Sequence, residues 1–207
     1  MLLLVSGASG VGKTTARLRV RHVLGEDFET AELFTLGPIP AVPTGAWRHE
    51  QAEKAVRIAI QLEAEGRHLL FAGDPVPAGE VLAAPSANRV DVAVCLLDAD
   101  PDAHNARLDA RRDPPELRDR HLAFADWMRR HATDPTHMPE VVTTDGWDQM
   151  AWERWVGREL GEAWAMTVVD TSGRDPDEVA GMVAEWCRSA VRGEVPVFRR
   201  GWHLGHG

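Results

Sequence analysis

Residues 7–14 read Gly-Ala-Ser-Gly-Val-Gly-Lys-Thr and follow closely on the short apolar run Leu2–Val5. No other stretch restricts the fold so tightly. The spacing G-x-x-x-x-G-K-[ST] is that of a phosphate-binding loop, and a strand before it with a helix after it is the context the motif requires. The glycines let the backbone curl until successive N–H groups point inward at phosphate oxygens. Lys13 then reaches the outer phosphates, Thr14 offers its hydroxyl to Mg²⁺, and the helix starting near Lys13 adds its positive end. Gly7, Ala8, Ser9, Gly10, Val11, Gly12, Lys13, Thr14 and Thr15 are therefore expected to hold a nucleotide.

The remaining length must complete a sheet around that strand. At 207 residues the chain suffices for one well-buried domain. Its net charge of −9 argues against a general nucleic-acid groove, which needs a basic face, while leaving room for a local anion pocket. Lys13 and Lys54 are the only lysines, so one of the two stands where a point-charge ammonium is wanted. Cys95 lies in an apolar run and reads as a small buried residue. No apolar stretch reaches the length of a membrane span, and the start lacks the charged region of a signal peptide. A soluble cytoplasmic protein is expected, with its oligomeric state left open.

Strands are expected at Leu2–Ser6, Thr30–Thr35, His68–Ala72, 90–97 and Ala165–Val169, with helices at 13–24, 47–65, from Asp100-Pro101 through Arg111, up to His131, near 146–163, and at Pro176–Val191. Asp100-Pro101 and Asp175-Pro176 both carry the cap-and-proline start of a helix. Strands alternating with helices predict an α/β, doubly wound, five-stranded and mainly parallel sheet with helices on both faces and a helical lid. Residues 1–191 form the expected domain, 112–131 its lid and 192–207 an irregular tail. Ligands of such sheets sit at the carboxyl ends of the strands, so the loops after Ser6, Ala72, Leu97 and Val169 should converge.

In these features the chain resembles the P-loop kinases of nucleosides, nucleotides and other small metabolites. The phosphate loop carries most of the resemblance. Phe71-Ala72-Gly73-Asp74-Pro75 is similar to the family's second acidic element, Arg107-x-x-x-Arg111 to its lid-entry arginines, and Val168-Val169-Asp170-Thr171-Ser172-Gly173 to its adenine-side loop. The resemblance implies ATP and Mg²⁺ as cofactors and transfer of the γ-phosphate to a small acceptor. Two departures stand out. No arginine follows Pro75, which counts against a nucleoside monophosphate acceptor, and Glu32 lies slightly early for the acid expected after the second strand.

Lys13, Asp74, Arg107 and Arg111 are the candidate catalytic residues. Asp74, at a strand's carboxyl end, suits a metal-side or acceptor-activating acid, with Thr14 as its partner on the metal. Arg107 and Arg111 share a helix face and suit phosphate oxygens or an adenine ring. Thr171 and Ser172 are placed on the adenine side. Trp47 and Arg48 suit a flat or anionic acceptor, with Arg112 and Arg118 closing over it. Bland readings compete: a turn aspartate, a solvated arginine face paired with Asp109 and Asp113, a packed tryptophan. Asp100 is explained as a cap, with Asp98 beside it the weaker site acid. The tryptophans of 147–164 read as core. His203-x-x-His206 supplies too few ligands to close a metal site.

A small-molecule kinase is the favoured function, with a nucleoside, nucleotide, sugar acid, cofactor precursor or antibiotic as acceptor. A regulatory switch ATPase without an acceptor is the alternative, disfavoured by the arginine-rich segment and the missing guanine motif. A phosphotransferase acting on an RNA end is disfavoured by the net charge. Neither nucleic acid nor membrane is expected as a partner.

Overall fold

The computed structural model describes residues 1–73 and 75–204. Three strands form the centre: β1 (Leu2–Ser6), β3 (His68–Ala72) and β4 (Val92–Asp98), each buried almost throughout. β2 (Phe28–Glu32) and β5 (Thr167–Asp170) form the more exposed edges. The order is β2-β3-β1-β4-β5, with every neighbouring pair parallel. Burial along the whole of a strand, rather than at alternate residues, requires cover on both faces. α1 (Lys13–Val20) and α7 (Pro176–Arg192) pack together, as do α2 (Gly45–Ala64) and α3 (Ala78–Ala83). The doubly wound, parallel α/β fold is therefore as the alternating pattern predicts. Strand order turns between β1 and β4, so the phosphate loop leaves the sheet at its switch point.

Local signals explain most boundaries. Asp100 accepts a hydrogen bond from Ala103 N at 2.8 Å and starts α4 (Pro101–Ala110). Asp175 and Glu178 form a reciprocal capping box on α7. α5 (Pro115–His131) follows, as expected. β2 begins and ends earlier than expected, so Glu32 is its last residue.

The helix expected near 146–163 does not form. α6 spans only Glu140–Thr143, and two short 3₁₀ turns, Trp152–Arg154 and Gly161–Ala163, follow it. Gly157 and Gly161 both take positive φ, at 72° and 51°, which halts a helix. The indoles are held from a distance instead. Trp155 Nε1 donates to Gly79 O at 2.9 Å, and Trp164 Nε1 to His131 O at 2.6 Å. Both tryptophans are core, as their reading from sequence has it.

In the segment expected to be irregular, Phe198 pairs antiparallel with Val92. It takes the place beside β4 that β5, starting opposite Cys95, leaves open. Arg199 pairs with Asp91 at 2.8 Å. No helix among the described residues is long and apolar enough to cross a membrane.

Candidate active site

Gly7 begins the loop at φ 146°, and a Cβ there would lie 2.5 Å from Leu97 O, so only glycine lets the chain pass over the tip of β4. Lys13 is buried, and its Nζ donates to Ala8 O at 2.6 Å. α4 backs the loop from outside. The buried His104 approaches Ser9 O through Nε2 at 2.7 Å, and since a carbonyl only accepts, that nitrogen carries the proton. Arg111 Nη1 donates to Ser9 Oγ at 3.2 Å. Arg111 thus reaches the rim of a recess of about 170 Å³ lined by Gly10, Gly12, Lys13, Thr14 and Thr15. Inward N–H groups, an ammonium and a guanidinium around one hollow are what a polyphosphate needs.

A larger recess of about 380 Å³ opens beside it, between the loop, α4 and the start of α7. Val11, Ala16, Val179 and Pro176 give it an apolar floor, with Arg107, Thr171 and Arg174 around it. Arg107 is fixed there: Nη1 donates to Thr171 Oγ1 at 2.8 Å and Nη2 to Thr171 O at 2.5 Å. Thr171 in turn donates through N and Oγ1 to Asp98 O, each at 2.8 Å. An apolar slot edged by donors suits a nucleobase, on the side of the loop expected for adenine. Ser172 is spent otherwise, its Oγ accepting from Asp100 N at 2.7 Å. Asp98 pairs with Arg129 of α5 at 2.7 Å, which ties that helix to the nucleotide side.

On the other side of Lys13, Thr14 Oγ1 donates to Glu32 Oε2 at 3.2 Å, and Arg17 Nη2 lies 3.3 Å from Glu32 Oε1. A carboxylate at the carboxyl end of β2 therefore borders the metal-side hydroxyl. Asp74, the acid chosen from sequence, lies outside the described residues, as does His206. Among the described residues, no group of three or more His, Cys, Asp and Glu side chains could hold a metal ion.

Trp47 and Arg48 are placed together at the start of α2 but are differently engaged. Trp47 stacks on Phe34 at 6.0 Å, and its Nε1 donates to Pro38 O at 3.2 Å. Arg48 grips Glu80 of α3 through Nε, at 3.0 and 2.8 Å, and through Nη2 at 2.5 Å. His49 Nδ1 accepts from Trp147 N at 3.1 Å, so Nε2 holds the proton and faces Glu80 Oε1 at 3.3 Å. Burial alone would push the Glu80 carboxyl up. Arg48's charge, the approach of His49 and the hydrogen bonds from Arg48 outweigh it, and the carboxyl sits below its usual range. Sequence reasoning missed Glu80, His49 and Arg129 because each acts through a partner about thirty residues away or more.

The expected lid, 112–131, is divided by its packing. Arg112, with φ 60°, opens it, and Arg118 pairs with Asp109 of α4. Arg111 and His121 both lie near Asp113, at 3.7 and 3.8 Å. Farther along α5, Ala125, Trp127, Met128 and His131 are buried.

No protein-family model matches the chain, and no curated protein does. Among solved structures it is similar to an unliganded sugar kinase from Janibacter sp. HTCC2649, at 16% identity and a TM-score of 0.56, covering 90% of this chain and 94% of that one. A tunicamycin resistance protein from Deinococcus radiodurans matches at 16% identity and 0.53, covering 90% and 94%. A gluconokinase from Sinorhizobium meliloti 1021 matches at 11% and 0.50, covering 93% and 95%. The chain has the fold of the P-loop kinases.

Proposed function

We propose that the protein is an ATP- and Mg²⁺-dependent kinase that transfers the γ-phosphate to a hydroxyl of a small acceptor. One observation carries this reading: a carboxylate, Glu32, sits 3.2 Å from the Thr14 hydroxyl, on the side of the phosphate loop away from the nucleobase recess. In that place a carboxylate can face an acceptor hydroxyl as well as the metal side. That structures of similar fold include, by name, a sugar kinase and a gluconokinase is in keeping with an alcohol as acceptor.

The loop's N–H groups bind the phosphates, and Lys13 and Arg111 offset charge that spreads over the transferring group. Arg107 and Thr171 edge the base. Glu32 orients the acceptor hydroxyl and takes its proton as the oxygen attacks phosphorus in line with the departing ADP oxygen. Threonine and carboxylate oxygens form a donor set suited to Mg²⁺, with phosphates completing the shell. Thr14, with Asp74, would hold it. The metal supplies charge neutralisation on the phosphates. Lid motion is confined to residues 112–121, since the rest of α5 is anchored in the core. That part carries Arg112 and Arg118 and, on closing, excludes water from the phosphates.

The test is ATP consumption with pooled metabolites, read by mass for a phosphorylated product. Product from any pool, with slow hydrolysis in its absence, supports the kinase. ATP turnover that no pool changes and no product accompanies returns the reading to a switch ATPase.

A further inference from the structure

In a chain that is 27% charged, the run from Leu33 to Trp47 carries no charged side chain. It leaves the sheet directly after Glu32 and returns as the first turn of α2, so both its ends lie at the edge where ligands of parallel sheets bind. Much of its apolar surface is in water. Phe34 is 43% exposed, Ile39 53% and Val42 76%. Phe34 and Trp47 stack with ring planes 24° apart, and Trp47's indole N–H is satisfied by Pro38 O. These two rings form a flat, apolar wall beginning two residues from the proposed base.

Electrostatics on that side point the same way. A binder of hydroxy acids needs a cation left over for the carboxylate. Arg48 is matched by Glu80 through two of its nitrogens, and Arg17 by Glu32 itself. Lys54, which approaches Gly37, donates to Gln51 Oε1 at 3.0 Å. Lys54 lies beside the run and argues for an anion.

We infer that the acceptor is an uncharged alcohol carried on an aromatic or otherwise apolar body, which lies against Phe34 and Trp47 while its hydroxyl meets Glu32. The inference rests on the kinase reading and narrows its acceptor. A polar sugar acid would leave the wall unused, and its carboxylate would have to draw Lys54 away from Gln51.

The test uses the whole chain saturated with Mg²⁺ and a non-hydrolysable ATP analogue. Binding is measured by saturation-transfer NMR for four compounds: 3-phenyl-1,2-propanediol, 3-phenyllactate, sorbitol and gluconate. They cross an apolar or polar body with a neutral or anionic head. The phenyl diol should bind at least about tenfold tighter than sorbitol and gluconate, the order of effect of covering one phenyl ring, and tighter than 3-phenyllactate, whose carboxylate gives up its hydration. Phe34→Ser and Trp47→Ala should each remove most of that preference. Phe34 is exposed enough that its variant should fold even if the tryptophan variant does not. Equal or tighter binding of either acid, a preference indifferent to both substitutions, or no binding of any of the four overturns the inference. A separate melting experiment with the nucleotide analogue tests the kinase reading itself. If the analogue raises Tm while the diol fails, only the acceptor class is wrong; if it leaves Tm unchanged, the reading beneath fails too.

Discussion

The two sides of Lys13 are built on different principles. On the side proposed for the nucleotide, the phosphate cradle is made by backbone and by residues adjacent in sequence, the glycine N–H groups with Thr14 and Thr15, while the recess beside it draws on distant segments, Arg107 holding Thr171 and Thr171 holding Asp98 O. On the side proposed for the acceptor, side chains meet groups from distant segments. Arg48 meets Glu80, His49 meets Trp147, and Trp155 reaches Gly79. A phosphate chain is the same in every nucleotide, so a short motif can specify its cradle. An acceptor pocket must suit one molecule and is assembled from whatever the tertiary fold brings near. Substitutions on the proposed nucleotide side should therefore cost catalysis, and those on the proposed acceptor side, the base Glu32 apart, stability or choice of substrate.

The sharpest way to break this contrast is Lys13→Met, which keeps the buried aliphatic stem and removes the charge. Turnover should fall about a thousandfold, the upper end for loss of one preorganised charge contact in such a site, with far-UV circular dichroism unchanged. A folded variant with near-normal turnover would detach the loop from catalysis altogether. Glu32→Gln comes next. As the proton acceptor it should carry a few hundredfold of kcat, within the usual range for a general base, while ATP affinity and Mg²⁺ requirement stay put. Asp74→Asn should instead raise the Mg²⁺ concentration needed for half-maximal rate. An exchange of these two phenotypes would assign the base to Asp74 and leave Glu32 on the metal side.

The preference for Asp74 over Glu32 in the sequence shows what a sequence can carry. The phosphate loop is contiguous and its chemistry is local, so every residue of it was readable in place. The sheet followed from apolar runs at regular spacing. Glu32 is in plain view, but a β2 expected two or three residues late encloses the acid within the strand instead of leaving it at the tip. The Trp-rich stretch has helical composition, yet its glycines and the indole hydrogen bonds to Gly79 and His131 make it an irregular wall. Glu80 reads as an ordinary helix residue until the fold seats Arg48 and His49 upon it.

That buried triad gives a prediction on stability. Glu80→Gln leaves the Arg48 charge without its counter-ion and should cost about 3 kcal/mol, as breaking a buried pair from one side does. The double variant Arg48→Met/Glu80→Met should recover much of the loss, because two apolar groups of similar size remove the charge and its need together. Denaturant midpoints decide it. The side-specific contrast fails if Glu80→Gln is stable but loses ATP affinity.

The smallest effect lies in the aromatic wall behind the acceptor side. His131 stacks on Trp127 at 4.6 Å and meets Trp155 and Trp164 edgewise, and neither ring nitrogen has a hydrogen-bond partner among the described residues. Burial lowers its pKa to about 4, with Glu80, His137 and Asp134 contributing smaller charges of either sign. In the unfolded chain the same imidazole titrates near 6.5. Between those values the unfolded state binds a proton that the folded state refuses, so stability is whole above pH 6.5 and drains away as pH falls toward 4. At pH 5 the loss is about 2 kcal/mol, following from 1.4 kcal/mol per unit over the one and a half units below 6.5. Other groups with lowered pKa, His68, His104 and Glu80, add to acid sensitivity in the wild type but are unchanged in a variant. His131→Phe isolates the one residue. The ring is replaced by another of similar shape, no hydrogen bond is lost, and the proton site is gone. The variant should match the wild type at pH 7.5 and exceed it at pH 5, with nucleotide binding alike in both. A variant less stable at both pH values would mean that the imidazole is held by a buried water or by its polarity. The wall would then be a polar network like the triad beside it, rather than an apolar support.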